Sequence, residues 1–178
     1  MGRATRKIEI LNAASKIVSE RGIFNLTLEA TAVEAGFSKG GLLYHFPSKE
    51  ALVKGMVDHL AENYREKISS TAAASLEEKG KWTHSYVDVT FTEPYQNKDM
   101  HAGLLAAKAV NAELLNPIRE LYSNWQEEIE NDGIDPIKAT IIRLATDGIW
   151  LSELFDIHHI GEEKKEAVYQ KLKAWANE

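Results

Sequence analysis

The sequence predicts an all-α protein of about nine helices. Apolar residues recur at helical spacing along most of its 178 residues, and the four prolines, at positions 47, 94, 117 and 136, each lie between such segments. Residues 84–91 have strand propensity, but Trp82, Tyr86 and Val89 also fit helical spacing. An isolated strand would leave its backbone hydrogen-bonding groups unpaired, so helix is the better assignment there.

The N-terminal part predicts three short helices followed by a long one. An apolar stripe from Ile10 to Val18 forms the first helix, and Gly22 provides its stop. We expect a second helix over about 27–35 with Thr27 as its N-cap, and a third over about 38–46 with Ser38 as its N-cap. The fourth is expected over about 48–70, starting at Ser48 after Pro47.

The rest of the chain also fits helices, at about 76–92, 99–112, 116–131, 135–158 and 162–177. Asn116-Pro117 and Asp135-Pro136 are typical helix starts, in which a capping side chain precedes proline in the first turn. Glu162 and Glu163 place negative charge in the first turn of the last helix, where the helix dipole favours it.

Charge is divided unevenly within the net charge of −6. Residues 1–55 carry a net charge of +3 and the remainder −9. A basic head on an acidic body is typical of a polyanion-binding module joined to a domain that does not bind polyanions, although chance over a short window is the alternative.

Composition excludes several classes of protein. Cysteine is absent, which excludes disulfide scaffolds, thiolate metal sites and cysteine nucleophiles. No apolar run approaches the ~18–20 residues that span a bilayer, and the basic N-terminus leads into interrupted sequence rather than a secretory signal. We therefore expect a cytoplasmic protein with no membrane partner.

The second and third helices form the most informative feature. A tight turn, Ala35-Gly36-Phe37-Ser38, joins them, as in a helix-turn-helix. Gly40 and Gly41 begin the third helix, although glycine in a helix interior costs roughly 1 kcal/mol relative to alanine. The two glycines either let the backbone approach a partner such as the wall of a DNA groove, or merely fray the helix start.

Residues 8–55 resemble the DNA-binding domain of the TetR family of bacterial transcriptional regulators. The matching segments are Leu26-Thr27, Ala32–Gly40 and Tyr44–Leu52. Thr31 stands where the family usually has an aliphatic residue, and Leu43 stands where many members have a phosphate-contacting tyrosine, with Tyr44 next to it. The resemblance implies a helix-turn-helix head, an all-α body that binds a ligand and dimerises, and repression relieved by a small molecule.

With this resemblance, we expect residues 1–47 to bind DNA and residues 48–178 to bind a ligand and dimerise. Thr27 and Lys49 lie at helix N-termini, where they can hold backbone phosphates. The third helix would supply the contacts to base edges. The DNA-binding candidates are Thr27, Ser38, Lys39, Gly40, Gly41, Tyr44, His45 and Lys49.

The body carries many aromatic residues, each of which could fill the core or line a small-ligand pocket. Pockets for small ligands combine apolar walls with a few polar groups, and His84 and Asn111 are possible polar members. The resemblance implies a cavity among these helices. The pocket candidates are Trp82, Tyr86, His101, Tyr122, Trp125 and Trp150.

The helix expected over 135–158 is apolar nearly all round and must be buried on two sides. A domain this small buries such a helix with difficulty, whereas a two-fold interface that pairs it and the last helix with their mates would form a four-helix bundle. The interface candidates are Ile141, Ala145, Gly148, Ser152, Phe155, Val168, Leu172 and Trp175.

Two other motifs point to enzymes or metal sites. Gly36–Gly40 matches the G-x-S-x-G nucleophile elbow, but that elbow needs a preceding strand and a large sheet, and a helix precedes it here. Asp156, His158 and His159 are metal-ligand types at a helix end, yet adjacent histidines point in different directions. We expect no catalysis, no metal and no cofactor.

Together with these observations, the resemblance implies a homodimeric repressor that binds a palindromic double-stranded operator and leaves it when an unknown small molecule binds. The alternative is a helical protein that binds small ligands, or an enzyme, whose head no longer reads DNA.

Overall fold

The structure, a computed structural model, describes residues 2–92 and 98–178, apart from the side chains of Arg3 and of residues 98–101. Within these residues it has nine α-helices and no strand, as predicted. They are α1 (Arg3–Arg21), α2 (Leu28–Ala35), α3 (Lys39–His45), α4 (Lys49–Ala74), α5 (Lys81–Thr92), α6 (Lys98–Val110), α7 (Asn116–Glu130), α8 (Pro136–Leu154) and α9 (Glu162–Ala176). Short 3-10 turns at Ile23–Asn25 and Ala112–Leu115 lie between them.

Four of the five predicted N-caps are confirmed, since each of the four side chains accepts a hydrogen bond from the first turn of its helix. Asn116, the fifth, has helical backbone angles and is itself the first residue of α7. Thr27 Oγ1 accepts from the amide of Ala30 at 3.0 Å, and Ser38 Oγ from that of Gly41 at 3.1 Å. Ser48 and Asp135 cap α4 and α8 in the same way, at 3.0 and 2.8 Å.

Three predicted helix bounds were wrong. α4 continues to Ala74, α5 begins at Lys81 rather than near 76, and α8 ends at Leu154 rather than near 158. The start of α5 depends on Asp132, whose carboxylate accepts from the amide of Thr83 and whose carbonyl accepts from the amide of Gly80, both at 2.7 Å. Beyond α8, the chain leaves helical geometry at Asp156, which has a φ of 52°.

The chain forms two compact units. The N-terminal unit comprises residues 1–62 and 97–119, and the C-terminal unit comprises residues 63–96 and 120–178. In the N-terminal unit, α1 packs against α2 and α6. Its core includes the fully buried residues Ile10, Ile17, Leu26, Leu42, Leu52 and Ala106.

In the C-terminal unit, α5, α8 and α9 pack around Val87, Ile142 and Leu172. The loop before α5 approaches the end of α9 closely: a Cβ on Gly80, which has a φ of +68°, would lie 2.8 Å from the carbonyl oxygen of Ala176. Lys165 of α9 pairs with Glu153 of α8 at 2.7 Å, and both side chains are largely buried. None of the helices in the described residues has the length and hydropathy required to cross a bilayer.

Candidate nucleic-acid interface and ligand site

The turn between α2 and α3 depends on Gly36, which has left-handed backbone angles of φ 71° and ψ 26°. The amide of Phe37 donates to the carbonyl of Ala32 at 2.8 Å and that of Gly36 to the carbonyl of Val33 at 3.2 Å, which closes the end of α2. Thr31 is buried where an aliphatic residue was expected, and its hydroxyl donates to the carbonyl of Thr27 at 2.8 Å. The hydroxyl is therefore satisfied within its own helix.

The third helix has one buried and one exposed side. Leu42 on α3 and Phe46 just after it lie in the core. Lys39 and Gly40 are exposed, Tyr44 is 67% exposed, and the ring of His45 meets that of Tyr44 edge-on with centroids 5.2 Å apart. Anchoring on one side thus presents the other side to a partner.

The two glycines of α3 have different surroundings. A Cβ on Gly41 would lie 3.2 Å from Ser38 Oγ, so Gly41 fits closely beneath the capping hydroxyl. A Cβ on Gly40 would meet nothing within 4 Å. Contacts among the described residues therefore account for a glycine at position 41 but not at position 40.

Three cations of the N-terminal unit pair with acidic side chains. Lys39 pairs with Glu29 on α2, while Lys16 and Arg21 on α1 both pair with Glu34, at 2.7 and 2.8 Å. The hydrogen bonds from Lys39 and Lys16 lower the pKa values of Glu29 and Glu34 respectively, which keeps both carboxylates charged. Glu29 was not predicted as the partner of Lys39, because the helix dipole already explains an acidic residue in the first turn of a helix.

Lys49 lies at the N-terminus of α4 with its Nζ 3.5 Å from the carbonyl oxygen of Ile23. This contact brings the lysine to the segment that leads into α2, the helix capped by Thr27. Lys49 therefore contacts the same short segment, residues 23–27, that ends at Thr27, the other residue predicted to hold a phosphate.

Four of the six pocket candidates meet in the C-terminal unit. Trp125 contacts the rings of Tyr86 and Tyr122 at centroid distances of 5.2 and 5.4 Å. The buried carboxylate of Asp147 accepts hydrogen bonds from Tyr86 and, at 3.3 Å, from Trp150 Nε1. The pocket set also named Trp82 and His101: Trp82 is half-buried one turn before Tyr86, and the side chain of His101 lies outside the described residues.

Arg143 balances the charge of Asp147, with its guanidinium 2.7 Å from Oδ2 and 5.7 Å from the ring centre of Tyr122. Burial and Asp147 raise the pKa values of Tyr86 and Tyr122, so both hydroxyls remain donors. Sequence reasoning missed Asp147 and Arg143, although an aspartate four residues after an arginine in an apolar helix was a signal for them. Asn111 lies apart from this network, in the N-terminal unit, where it donates to Glu50 at 3.0 Å.

One side of α8 is apolar and exposed. Its large hydrophobic residues, 38% to 69% exposed, repeat at intervals of three, four or seven residues, and Gly148 falls within the same stripe. The stripe comprises Ile137, Ile141, Leu144, Gly148, Leu151 and Phe155.

The other interface candidates lie off this stripe. Leu172 is buried in the core of the C-terminal unit, and Ala145, Val168 and Trp175 pack against that core. The hydroxyl of Ser152 donates to the carbonyl of Gly148 at 2.7 Å. Ile137, Leu144 and Leu151 lie on the exposed stripe but were not among the interface candidates, because a helix that is apolar all round does not reveal from its sequence which side stays exposed.

No group of three or more potential ligands within the described part of the chain could hold a metal ion. Near the end of α8, His159 contacts Asp156 at 2.9 Å, and both side chains are exposed.

Two models of known protein families match the chain. Residues 10–56 match the family model described as bacterial regulatory proteins, tetR family, and residues 80–177 match the tetracyclin repressor-like C-terminal domain. The chain belongs to the TetR family. The family resemblance predicted from residues 8–55 is confirmed, and the match extends over most of the chain.

Relatives of known identity support this membership. The HTH-type transcriptional repressor KstR2 of Rhodococcus jostii is 30% identical over 140 residues, which cover 74% of this chain and 69% of the relative. KstR2 of Mycobacterium tuberculosis is 38% identical over 72 residues. That segment covers 38% of this chain and 36% of the relative.

Solved structures share the fold. The fatty acid degradation regulator FadR from Bacillus halodurans has a TM-score of 0.74 at 16% identity. The superposition covers 97% of this chain and 96% of the FadR chain. A TetR-family member from Streptomyces coelicolor has a TM-score of 0.67 at 21% identity, with coverages of 96% and 98%. As a TetR-family protein with a helix-turn-helix, the chain is a DNA-binding transcriptional regulator.

Proposed function

We propose that this TetR-family regulator is a homodimeric repressor of a palindromic operator, which it leaves when a small molecule binds. The observation that carries the proposal is the exposed side of α3, where Lys39, Gly40 and Tyr44 face solvent while Leu42 anchors the helix. Its relatives named KstR2 are repressors by name. The proposal involves no catalytic step and no cofactor.

On DNA, α3 would lie in the major groove, which is about 12 Å wide and admits a helix. Lys39, Tyr44 and His45 would reach base edges, and Gly40 and Gly41 would let the backbone approach the groove. Thr27 and Lys49 would hold phosphates beside the groove. Residues 1–47 supply these contacts except for Lys49, the first residue of α4.

The exposed stripe on α8 supports the proposed dimer. A stripe of large apolar side chains across a whole helix is unfavourable in water, and pairing with a second copy would bury it. A two-fold dimer would present two copies of α3 to half-sites about 34–36 Å apart, one helical turn of DNA. Ligand binding and dimerisation are assigned to residues 48–178.

Release requires a ligand that binds one conformation of the dimer better than the one that fits the operator. The aromatic cluster around Asp147 offers apolar walls with fixed polar groups, the usual lining of a small-molecule site. α4 contributes residues to both compact units, and we assign it the role of transmitting the change.

Selection of bound duplexes from a random library, followed by fluorescence anisotropy on the enriched sequence, tests the proposal. We expect an inverted repeat, tight binding by the parent protein and at least about ten-fold weaker binding by Tyr44→Ala, since one good base contact contributes about 1–3 kcal/mol. Val33→Ala, at an 82% exposed position on α2, is the matched control and should bind like the parent.

Failure to enrich any sequence would favour the alternative of a ligand-binding protein that no longer reads DNA. Enrichment of a single unrepeated site would overturn the dimer on DNA. Equal affinity of Tyr44→Ala and the parent would remove Tyr44 from the interface.

A further inference from the structure

The first turns of α1 lie beside the C-terminal end of α3. Lys7 Nζ is 5.8 Å from the centre of the Phe46 ring, and Phe46 is the residue that directly follows α3. The amide of Phe46 donates to the carbonyl of Leu42 at 2.8 Å, which ties the ring to the last turn of α3. A lysine from another helix therefore stands at the end of α3 that lies opposite the Ser38 cap.

The ring beneath Lys7 is fixed by close packing. Phe46 is 3% exposed, and a Cβ on Gly55 of α4 would lie 2.6 Å from Cε1 of Phe46 and 3.2 Å from Cδ2 of Leu11. The ring and Leu11 therefore both pack against the bare backbone of Gly55. Lys7 and Leu11 are four residues apart and so lie on the same side of α1. This packing sets where the Lys7 side chain runs.

The ammonium of Lys7 is available to a partner. The side chain is exposed, and a lysine in this position lays its methylene stem on apolar surface while its charge stays in water. The face of an aromatic ring attracts the cation and holds it in place. An ammonium has three N–H donors, and those directed away from the ring can donate to an acceptor such as phosphate.

The charge of Lys7 is not balanced as that of neighbouring cations is. Four cations of residues 1–55 lie within 2.8 Å of a carboxylate oxygen, namely Lys16, Arg21, Lys39 and Lys54. Within the part of the chain that the structure describes, Lys7 pairs with no acidic side chain, and its ring partner carries no charge. Its full positive charge therefore attracts an anionic partner beside α3.

We infer that Lys7 holds a backbone phosphate of the operator beside the C-terminal end of α3, and so adds a contact from α1 to the DNA interface. With α3 in the major groove, a group beside the end of the helix faces the sugar-phosphate backbone that borders the groove. Contacts to phosphates fix the register of a protein on the duplex without reading its sequence. The inference rests on the proposed function, because it concerns the same DNA interface.

Lys7→Met tests the inference, since methionine keeps a flexible, unbranched stem over Phe46 and removes only the charge. Fluorescence anisotropy on the enriched operator and on a scrambled duplex of the same length measures how affinity depends on salt. One phosphate contact changes affinity about 3.5-fold between about 50 and 200 mM salt. We expect Lys7→Met to lose about this much of the salt dependence on both duplexes, and Lys7→Arg to keep it.

Lys171→Met is the matched control. Lys171 Nζ lies 5.5 Å from the centre of the Trp175 ring on α9, so the substitution removes the same charge from the same kind of ring contact in the C-terminal unit. Its net charge equals that of Lys7→Met, and its salt dependence should equal that of the parent protein.

Unchanged salt dependence of Lys7→Met, with a parent protein that binds the operator, would overturn this inference and leave the proposed function intact. A parent protein that binds neither duplex would overturn both. A loss of affinity on the operator alone would assign Lys7 to base recognition and overturn the phosphate contact. Should Lys7→Met melt at a lower temperature than the parent, Lys7→Gln decides in its place, with the same expected loss of salt dependence.

Discussion

Glu29 and Lys39 form an ion pair that joins the first turn of α2 to the first residue of α3, with Glu29 Oε1 2.5 Å from Lys39 Nζ. Both side chains are 62% exposed, so the pair contributes little to folding stability. Its effect is electrostatic instead, since it places a negative charge beside a lysine that we expect to face DNA. That charge opposes the phosphates of any duplex.

Replacing Glu29 with glutamine removes this charge and releases Lys39. We expect a few-fold tighter binding to all duplexes, specific or not, with an unchanged melting temperature. Glu20→Gln removes the same charge from an exposed position on α1 and should change DNA affinity less. Fluorescence anisotropy at two salt concentrations measures both. A loss of affinity in Glu29→Gln would mean that Glu29 instead orients Lys39 on the DNA.

Gly40→Ala separates folding from DNA binding. The added Cβ meets nothing within 4 Å, and alanine is preferred over glycine in helices by up to about 1 kcal/mol, so the melting temperature should stay equal or rise. Operator affinity should nevertheless fall, because the methyl group would occupy space between the backbone and the groove. A variant that melts later and binds the operator as tightly as the parent would show that the backbone at position 40 does not approach DNA.

Lys49→Ala should weaken binding to every DNA sequence about equally and reduce the dependence of affinity on salt by roughly one phosphate contact. The control lies five positions further along α4, where Lys54 pairs with Asp58 at 2.7 Å. Lys54→Ala should leave the salt dependence unchanged. Anisotropy titrations between 50 and 200 mM salt, a range of conditions over which such slopes are resolved, provide the measurement. A loss confined to one base position would reassign Lys49 to base recognition.

Gly148→Leu tests the exposed stripe of α8 as the dimer interface. Within one chain a Cβ at position 148 meets nothing within 4 Å, so the helix itself tolerates leucine. At a two-fold interface the larger side chain would clash with the facing helix, and overpacking typically costs 1–3 kcal/mol, about doubled by symmetry. Sedimentation should show more monomer, with weaker operator binding in parallel. Asn124→Leu, on the exposed side of α7, is the control, and a fully dimeric Gly148→Leu would place the interface elsewhere.

Asp147→Ala should destabilise the protein strongly. It leaves the Arg143 guanidinium without its buried partner and removes the acceptor of the Tyr86 hydroxyl. Losing one member of a buried ion pair costs about 3–5 kcal/mol, which chemical denaturation would detect. Glu127→Ala, an exposed acid on α7, should change the free energy of unfolding little. Equal stability of Asp147→Ala and the parent would mean that water replaces the carboxylate.

The sequence predicted the contacts between residues that lie close together along the chain. Thr27, Ser38, Ser48 and Asp135 cap amides only three positions away, and all four caps were predicted correctly. The predicted start of α5 was wrong because the residue that caps it, Asp132, lies 49 positions after the capped residue, Thr83. The same holds for the candidate sites: the exposed side of α3 follows from its pattern, whereas the Glu29–Lys39 pair and the Tyr86–Asp147 hydrogen bond depend on distant chain segments meeting.

At Gly80, the close approach of two distant chain segments limits which amino acids the fold can accept. Its missing side chain leaves just enough space for the carbonyl of Ala176, and its backbone adopts an angle that other residues rarely take. Every single-base change that alters a glycine codon to another amino acid introduces a Cβ. Any missense mutation at this codon therefore strains the backbone and forces the α5 entry and the last turn of α9 to shift.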